Sequence, residues 1–396
     1  MSLPLDGVVV IDLSQIYNGP YATFLLAMSG ATVIKVEPPG GESLRRRGSV
    51  GGAALPFALL NGCKRTIVLN LKTDEGKELL RDLVRTADVL VENFAPGVLD
   101  RLGVGAAALQ EINPRLIYAQ SSGYGTTGPY RDYPAMDLTV QAMSGVMSIT
   151  GFPDRPPVKA GPALCDFFAG VHLYGAIATA LYERERTGIG RRVEVAMLDA
   201  VYPSLGSSLG LHFDTKGEVP PRTGNRHAGL AEAPYNVYPA ADGHIAILCV
   251  SETHWKSLLR VMDRNDLASD NRFGSLGDRV AHIDLVDETI SAWTRTRLKQ
   301  DLFEALMAGR VPCAPVRNLT EVVNDPHLHA RGMLQWQDHP ELGRIIVQHS
   351  PLRFAGDPPR PLEPSHTLGA DTDRVLEDRL GLSPEQITAL GARGVI

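Results

Sequence analysis

Four places in the sequence put residues of a suitable type at a spacing that could do chemistry. The turn at residues 14–20 follows an apolar run and precedes a helical stretch, and a helix opening behind a parallel strand presents free N–H groups and partial positive charge to phosphate. At this turn neither G-x-G-x-x-G nor the P-loop pattern is present, so the place reads as a generic strand-to-helix turn. Gly206-Ser-Ser208-Leu-Gly210 matches the serine-hydrolase elbow G-x-S-x-G, but that elbow requires a buried strand before the serine, whereas the residues from Val201 continue a helical, small-residue pattern. The 11 histidines and the carboxylates show no H-E-x-x-H and no Cys/His pairing at ligand spacing, so no metal site is expected. The fourth place is Gly151-Phe-Pro-Asp154-Arg-Pro-Pro157, a Pro-lined loop that follows a helical stretch and presents one carboxylate; alone it reads as an Asp-containing turn.

The elements that must position these residues alternate. Residues 7–13 form a short continuous apolar run, the signature of a strand buried on both faces of a parallel sheet. Gly19-Pro20 opens a helix that Gly30 ends, and a second strand follows at 32–36. The pattern returns as a strand at 66–71, a helix at 73–86 with Thr73 as N-cap, and strands at 88–92 and 115–119. Helical periodicity spans 138–149, 164–187 and 197–212, with a charged strand at 191–195. This alternation predicts a doubly wound α/β, Rossmann-like large domain at 1–212. A turn-rich, charged linker begins at 213 and leads into a smaller α+β domain reaching 312, with a hairpin around Asp242-Gly243 and helices over 253–309. Residues 313–396 return to the large domain through turns, short strands and a Pro-rich strap beginning at Asp357.

The chain of 396 residues implies two lobes or one large lobe with an insertion. A net charge of −6 provides no field to attract nucleic acid or an anionic membrane, which leaves small molecules as the expected substrates. Cys63, Cys165, Cys249 and Cys313 are widely spaced, so free thiols in a reducing cytoplasm are expected, with no disulfide framework. No stretch reads as a signal peptide or membrane span.

Further motifs run in order through nearly the whole chain. They are Gly19-Pro20 with Gly30-Ala-Thr-Val-Ile-Lys-Val-Glu-Pro-Pro-Gly40, then Lys64-Arg65, Asn70-Leu-Lys72 and Asp88-Val-Leu-Val-Glu-Asn-Phe94. Gly123-Tyr-Gly-Thr-Thr-Gly-Pro129, Gln141-Ala-Met-Ser-Gly145 and the Asp154 loop come next, followed by Arg222-Thr-Gly-Asn-Arg-His227, Pro234-Tyr235, Asp242-Gly243, Val311-Pro-Cys-Ala-Pro-Val316 and the Asp325 to Met333 run. Together, in this order, they resemble the class III CoA-transferases of the CaiB/BaiF type, the family of formyl-CoA transferase and carnitine CoA-transferase.

The resemblance implies transfer of CoA from an acyl-CoA thioester to a free carboxylic acid, with the family's nucleophilic aspartate falling on Asp154. Lys72, Asn93, Phe94, Arg101 and Tyr124 resemble its CoA contacts. Tyr17, Asn18, Gly19, Arg222, His227 and Tyr235 fall at acid-facing or oxyanion positions, where backbone N–H groups of the 17–19 turn and the 222–233 loop could stabilise a tetrahedral stage. CoA and acyl-CoA enter as substrates with no tightly bound cofactor, and an interlocked homodimer is expected. Arg222 and Arg226 favour a dicarboxylic acceptor through bidentate pairing. Pro38 stands where formyl-CoA transferase offers a basic residue, Tyr17-Asn18 replace its Gln-Ala pair, and residues 222–233 lack its glycine-rich lid, so formyl or oxalate specificity is not expected. A 2-methylacyl-CoA racemase of the same fold would need a His before an Asp, where this chain has Ala135-Met136-Asp137. Asp166 matches that racemase's second acidic position and is expected to serve structure or dimer contact. A non-catalytic subunit of a two-chain transferase is disfavoured by the presence of Asp154.

Overall fold

The computed structural model describes residues 3–46, 54–219, 221–356 and 360–396; Asp357, Pro358 and Pro359 of the expected strap lie outside the described residues. The chain divides into two compact units. The first comprises Met1–Val140, Pro162–Val201 and Val323–Ile396, and the second Gln141–Gly161 and Tyr202–Val322. The Asp154 loop therefore belongs to the second unit.

The first unit is built on six parallel strands, β1 (Val9–Asp12), β2 (Thr32–Glu37), β3 (Arg65–Val68), β4 (Val89–Glu92), β5 (Ile117–Ser122) and β6 (Arg192–Ala196), in the order β3-β2-β1-β4-β5-β6. This is the Rossmann order, with the direction of winding reversing between β1 and β4, the place where such sheets bind ligands. Side chains alternate between faces along a strand, and the apolar runs supply both layers. Val10, Val33 and Val91 pack on one side with Phe24, Leu26, Leu173 and Ile177, while Ile11, Ile34 and Leu90 pack on the other with Leu80, Leu83 and Leu376.

The helix Asn18–Met28 buries every residue except Tyr21, as befits a helix lying between the sheet and the long helix Leu164–Thr187. By length and composition Leu164–Thr187 could cross a membrane, yet its Cys165, Ala169, Leu173, Ile177 and Ala180 are packed into the unit. The predicted helix over 138–149 is broken: Asp137–Met143 and Val146–Ile149 are separated by Gly145 at φ 93°, a left-handed conformation that glycine adopts without strain. The C-terminal segment, read as turns and short strands, also contains two helices, Thr372–Leu380 and Pro384–Ala392, that cover β3 and the Asp74–Val84 helix side of the sheet.

In the second unit β7 (Tyr235–Ala240) and β8 (Gly243–Leu248) form the hairpin expected around Asp242-Gly243, and β9 (Cys313–Pro315) joins β8. Trp255, Leu258, Val286, Ile290 and Leu306 from the following helices close its core. The remaining pair, β10 (Leu334–His339) and β11 (Gly343–Gln348), is antiparallel and belongs to the first unit. Residues 360–363 of the strap are tied to that unit by the Cys63 N–H donating to Glu363 O and the Gln337 amide donating to Leu362 O.

Behind the β1 turn lies a buried ion pair. Lys64 Nζ donates to Asp12 Oδ2 at 3.0 Å, Thr23 Oγ1 at 2.7 Å, Asn61 Oδ1 at 2.9 Å and Pro20 O at 3.0 Å. Burial acts to raise the Asp12 pKa, but the Lys64 and Lys35 ammonium groups outweigh it and hold the carboxyl down to about 2. Removing one partner of such a pair leaves an uncompensated buried charge, so Lys64→Met should lower unfolding free energy at pH 7 by about 3–5 kcal/mol. Urea denaturation measures this; a loss below about 1 kcal/mol would contradict the assigned role.

Candidate active site

At the carboxyl end of β1 the chain turns through residues 13–17 before the Asn18–Met28 helix begins. Backbone polar groups in such a turn need partners when they leave water, and side chains from neighbouring strands provide them. Asn93, just after β4, accepts from Gln15 N at 2.8 Å and donates to Gln15 O and to Asn18 Oδ1, both at 2.7 Å. The Gly19 N–H donates to the same Asn18 oxygen at 2.5 Å. Asn93 therefore commits both amide hydrogens to this turn, and Asn18 and Gly19 are bonded to each other.

The long helix reaches this turn at its N-terminal end. Gly170 is required there, since a Cβ at that position would lie 2.7 Å from Asn18 O. The Phe167 ring stacks on Tyr17 with centroids 6.0 Å apart and meets Tyr21 edge-on at 5.0 Å. The residue before Phe167 is Asp166, only 7% exposed. Burial, followed by the nearby charge of Asp137, pushes its carboxyl up to about 7. Asp137 Oδ1 accepts the Cys165 N–H at 2.9 Å, which fixes the start of the helix. Sequence reasoning assigned Asp166 to structure or dimer contact; its signal was an acidic residue in the first turn of an apolar helix, followed closely by Phe167 and Gly170.

Two cavities open on the first unit beside the turn, and Phe94 lines both. One, of about 470 Å³, is bounded by apolar side chains such as Leu13, Val36, Leu71 and Leu99, with Lys72 at its edge. The other, of about 340 Å³, is lined by Asn93, Arg101, Tyr124, Arg131 and Tyr133. Lys72, Asn93, Phe94, Arg101 and Tyr124 are thus brought to one pair of adjoining cavities. Phe94 is oriented by Glu92, which accepts the Phe94 N–H at 2.8 Å, and Tyr124 packs edge-on to Tyr130 and Tyr133 at 6.1 and 6.3 Å.

In the second unit, Asp154 is exposed, its side chain 73% accessible and 3.5 Å from the Arg155 guanidinium. Arg222 binds the carbonyls of Phe152 and Ser148, both at 3.2 Å, and so pins the Asp154 loop. Arg226 is engaged by Asp284 and Asp287 at 2.6 and 2.8 Å. His227 Nδ1 accepts from Gly229 N at 3.1 Å, and its ring meets Tyr235 edge-on at 5.4 Å. Both arginines expected to face an acid are occupied by protein groups.

Ser208 lies within the helix Gly206–Asp214, preceded by the 3₁₀ turn Tyr202–Leu205, so the strand that a hydrolase elbow requires is replaced by helix. The four cysteines are free. Burial pushes the Cys165 and Cys249 thiols up to about 12, far from the thiolate that nucleophilic catalysis needs. Among the described residues no three His, Cys, Asp or Glu side chains form a group able to hold a metal ion.

The first unit thus holds a buried carboxyl of low acidity, two adjoining cavities and a hydrogen-bonded turn at the sheet's switch point. The sequence model of CoA-transferase family III matches residues 5–372. The chain belongs to CoA-transferase family III. It is 41% identical to the acetyl-CoA:oxalate CoA-transferase of Acetobacter aceti, over 89% of this chain and 90% of the relative. It is 40% identical to the succinyl-CoA:mesaconate CoA-transferase of Haloarcula hispanica, over 90% and 91%, and 38% identical to the succinate–glutarate CoA-transferase of Agrobacterium fabrum, over 95% of each. The crystal structure of a CaiB/BaiF family protein from Brucella suis superposes with a TM-score of 0.84 at 34% identity, covering 96% of this chain and 100% of that one. The protein is a CoA-transferase that acts between acyl-CoA thioesters and carboxylates.

The raised Asp166 pKa has a consequence for this CoA-transferase's stability. Below about pH 4 the carboxyl is protonated in both folded and unfolded chains. As pH rises toward 7 the unfolded chain ionises first, which destabilises the fold, and the effect is complete above 7. Asp166→Asn should therefore raise the denaturation midpoint relative to the parent at pH 8 but not at pH 4. Equal midpoint changes at the two pH values would contradict a perturbed Asp166.

Proposed function

We propose that the CoA-transferase works through a covalent aspartyl intermediate and that Asp166 is the carboxylate that carries it. The observation that carries this reading is the shielding of Asp166 from water beside Phe167, whose ring lies against Tyr17 and Tyr21. An aspartyl-acyl anhydride hydrolyses readily, so the group that forms it benefits from a site closed to solvent. A carboxylate suits the chemistry because its anhydride is about as reactive as the thioester it attacks, so the difficult exchange divides into easier steps.

In the sequence of steps, an Asp166 carboxylate oxygen attacks the thioester carbonyl, the C–S bond breaks, and CoA leaves as thiolate. The thiolate attacks the aspartyl carbonyl of the anhydride, and the donor acid departs with the oxygen that Asp166 contributed. The acceptor carboxylate attacks the resulting aspartyl-CoA thioester, and the released thiolate takes the acyl group from the new anhydride. One carboxylate is consumed and one released, and no proton or electron is gained overall. Tyr17 and Asn18, in the turn that Phe167 and Gly170 approach, are the groups proposed to act on the tetrahedral stages, while the Gly19 N–H is taken by Asn18 Oδ1. Lys72 and Arg101 suit the nucleotide phosphates, while Phe94 and Tyr124 offer apolar and stacking surface. Asn93 acts through the turn it holds.

Asp154 is the second reading, favoured by the Pro-lined loop that Arg222 pins; its exposure weighs against a long-lived anhydride. For the acceptor, a dicarboxylic acid is supported by the relatives, whose names carry oxalate, mesaconate, succinate and glutarate. Arg226, already engaged by two aspartates, does not add to that support. A homodimer is supported by the exposed Phe168, Val171 and Tyr182 on the long helix, more apolar surface than one helix usually leaves in water. The four free thiols, three of them buried, suit a reducing, cytoplasmic setting.

Substitution separates the two carboxylates. With succinyl-CoA or acetyl-CoA as donor and a panel of mono- and dicarboxylates, Asp166→Asn should lower turnover by about 10³-fold or more, and Asp154→Asn by less than about tenfold. Hydroxylamine added after acyl-CoA should modify the peptide carrying Asp166. The reverse ranking with modification at Asp154 would overturn the assignment, and a preference for long aliphatic monoacids would overturn the diacid acceptor. In sedimentation at micromolar concentration the protein should run as a dimer, and a monomer would refute that part.

A further inference from the structure

The turn ahead of the Asn18–Met28 helix is also held from a second direction. Ile16 adopts φ 67°, a left-handed conformation that is a true outlier for a β-branched residue. Strain of this kind persists only where the surroundings over-determine it. The Ile16 N–H donates to Glu42 Oε2 at 3.0 Å. On its flanks Lys35 Nζ donates to Ser14 O at 2.9 Å, and Asn93 brackets Gln15.

Glu42 is itself rigidly mounted. Gly41, at φ 70°, turns the chain back after β2, and the Glu42 N–H donates to Glu37 Oε2 at 3.1 Å. Glu37 receives Arg45 through both Nε and the terminal nitrogen, at 3.1 and 3.0 Å. The Arg45 guanidinium lies 3.9 Å over the Phe57 ring. Glu42 is 4% exposed, and its Oε1 has no hydrogen-bond partner among the described residues. Burying a carboxylate with one oxygen unpaired is costly; here the nearby Lys35 charge and the hydrogen bond from the Ile16 backbone offset it.

We propose that Glu42 is a positioning residue of this CoA-transferase: by binding the Ile16 N–H it holds Ile16 left-handed and so aims Tyr17, Asn18 and the start of the following helix at the acyl group. The proposal rests on the 15–19 turn being part of the reaction site. It differs from a fold-stabilising role in one respect, because a glycine at position 16 adopts positive φ without a Cβ clash and makes the clamp dispensable.

The test measures label exchange between a CoA ester and its own free acid, using whichever of succinyl-CoA, acetyl-CoA and oxalyl-CoA exchanges fastest in the parent. Glu42→Ala should lower kcat about 10- to 100-fold, as expected for misplacement of about an ångström, with KM for the ester changed less than about threefold. Glu42→Gln keeps an acceptor oxygen for the Ile16 N–H and should stay within about threefold of the parent. Adding Ile16→Gly to Glu42→Ala should restore kcat by about tenfold. Parent-like rates for Glu42→Ala, or a loss that Ile16→Gly leaves unchanged, would overturn the proposal. If Glu42→Ala does not fold, Glu42→Leu takes its place under the same requirement, and failure of both to fold also counts against positioning. Asn18→Ala provides the separate arm: a kcat loss of about tenfold or more supports the turn as the reaction site, whereas a parent-like rate sinks that reading itself and leaves Glu42 with nothing to position.

Discussion

The first unit depends on a backbone turn that cannot satisfy itself. Where β1 ends at the sheet's switch point, the chain must leave the ladder and start a helix within a few residues, with its backbone polar groups buried or half-buried. Lys35 from β2, Glu42 from the segment after β2 and Asn93 from the end of β4 each hold one part of it. Each such bond to a charged or amide group costs about 1–3 kcal/mol to break when the partner stays buried. Beneath it, the Asp12–Lys64 pair fixes the end of β1 to the first turn of the helix through Pro20 O and Thr23. The turn is thus held from β2, from the segment after β2, from the residue after β4 and, beneath it, from the residue before β3.

That arrangement explains why two glycines and several buried charges occur together. Gly170 lets the long helix approach the Asn18 carbonyl, which brings Phe167 against Tyr17. Gly41 brings Glu42 back onto Ile16. Asp166 lies at the start of the same helix, where burial and then the nearby charge of Asp137 lower its acidity.

Much of this was legible in the sequence. The continuous apolar runs gave away strands buried on both faces, and the helix Leu164–Thr187 was bounded by its apolar period and by Gly188, which closes it at φ 74°. Gly145, in contrast, broke a helix whose periodicity ran straight through it. The helix Pro384–Ala392 carried a readable signal that was passed over, the Ser383 to Gln386 capping box ahead of Ile387 and Leu390. Lys72, Asn93, Phe94, Arg101 and Tyr124, which the resemblance matches to CoA contacts, line two cavities that share Phe94. The burial of Asp166 and the engagement of Arg222 and Arg226 were not legible, because both are three-dimensional facts. A cation in a motif looks the same whether it faces a ligand or, like Arg226, two aspartates of its own chain.

The central claim is that the acyl group passes through the carboxylate at the start of the long helix. Oxygen-18 tests it directly, because in the proposed cycle an acceptor acid labelled in its carboxylate leaves one labelled oxygen on the enzyme's aspartate at each turnover. Trypsin cleavage after Lys159 separates the peptide carrying Asp154 from the one carrying Asp166. After turnover with labelled acceptor, mass spectrometry should find the heavy oxygen in the peptide beginning at Ala160, with fragment ions placing it on Asp166. Label confined to Asp154, or turnover with no label on any aspartate, would contradict the account.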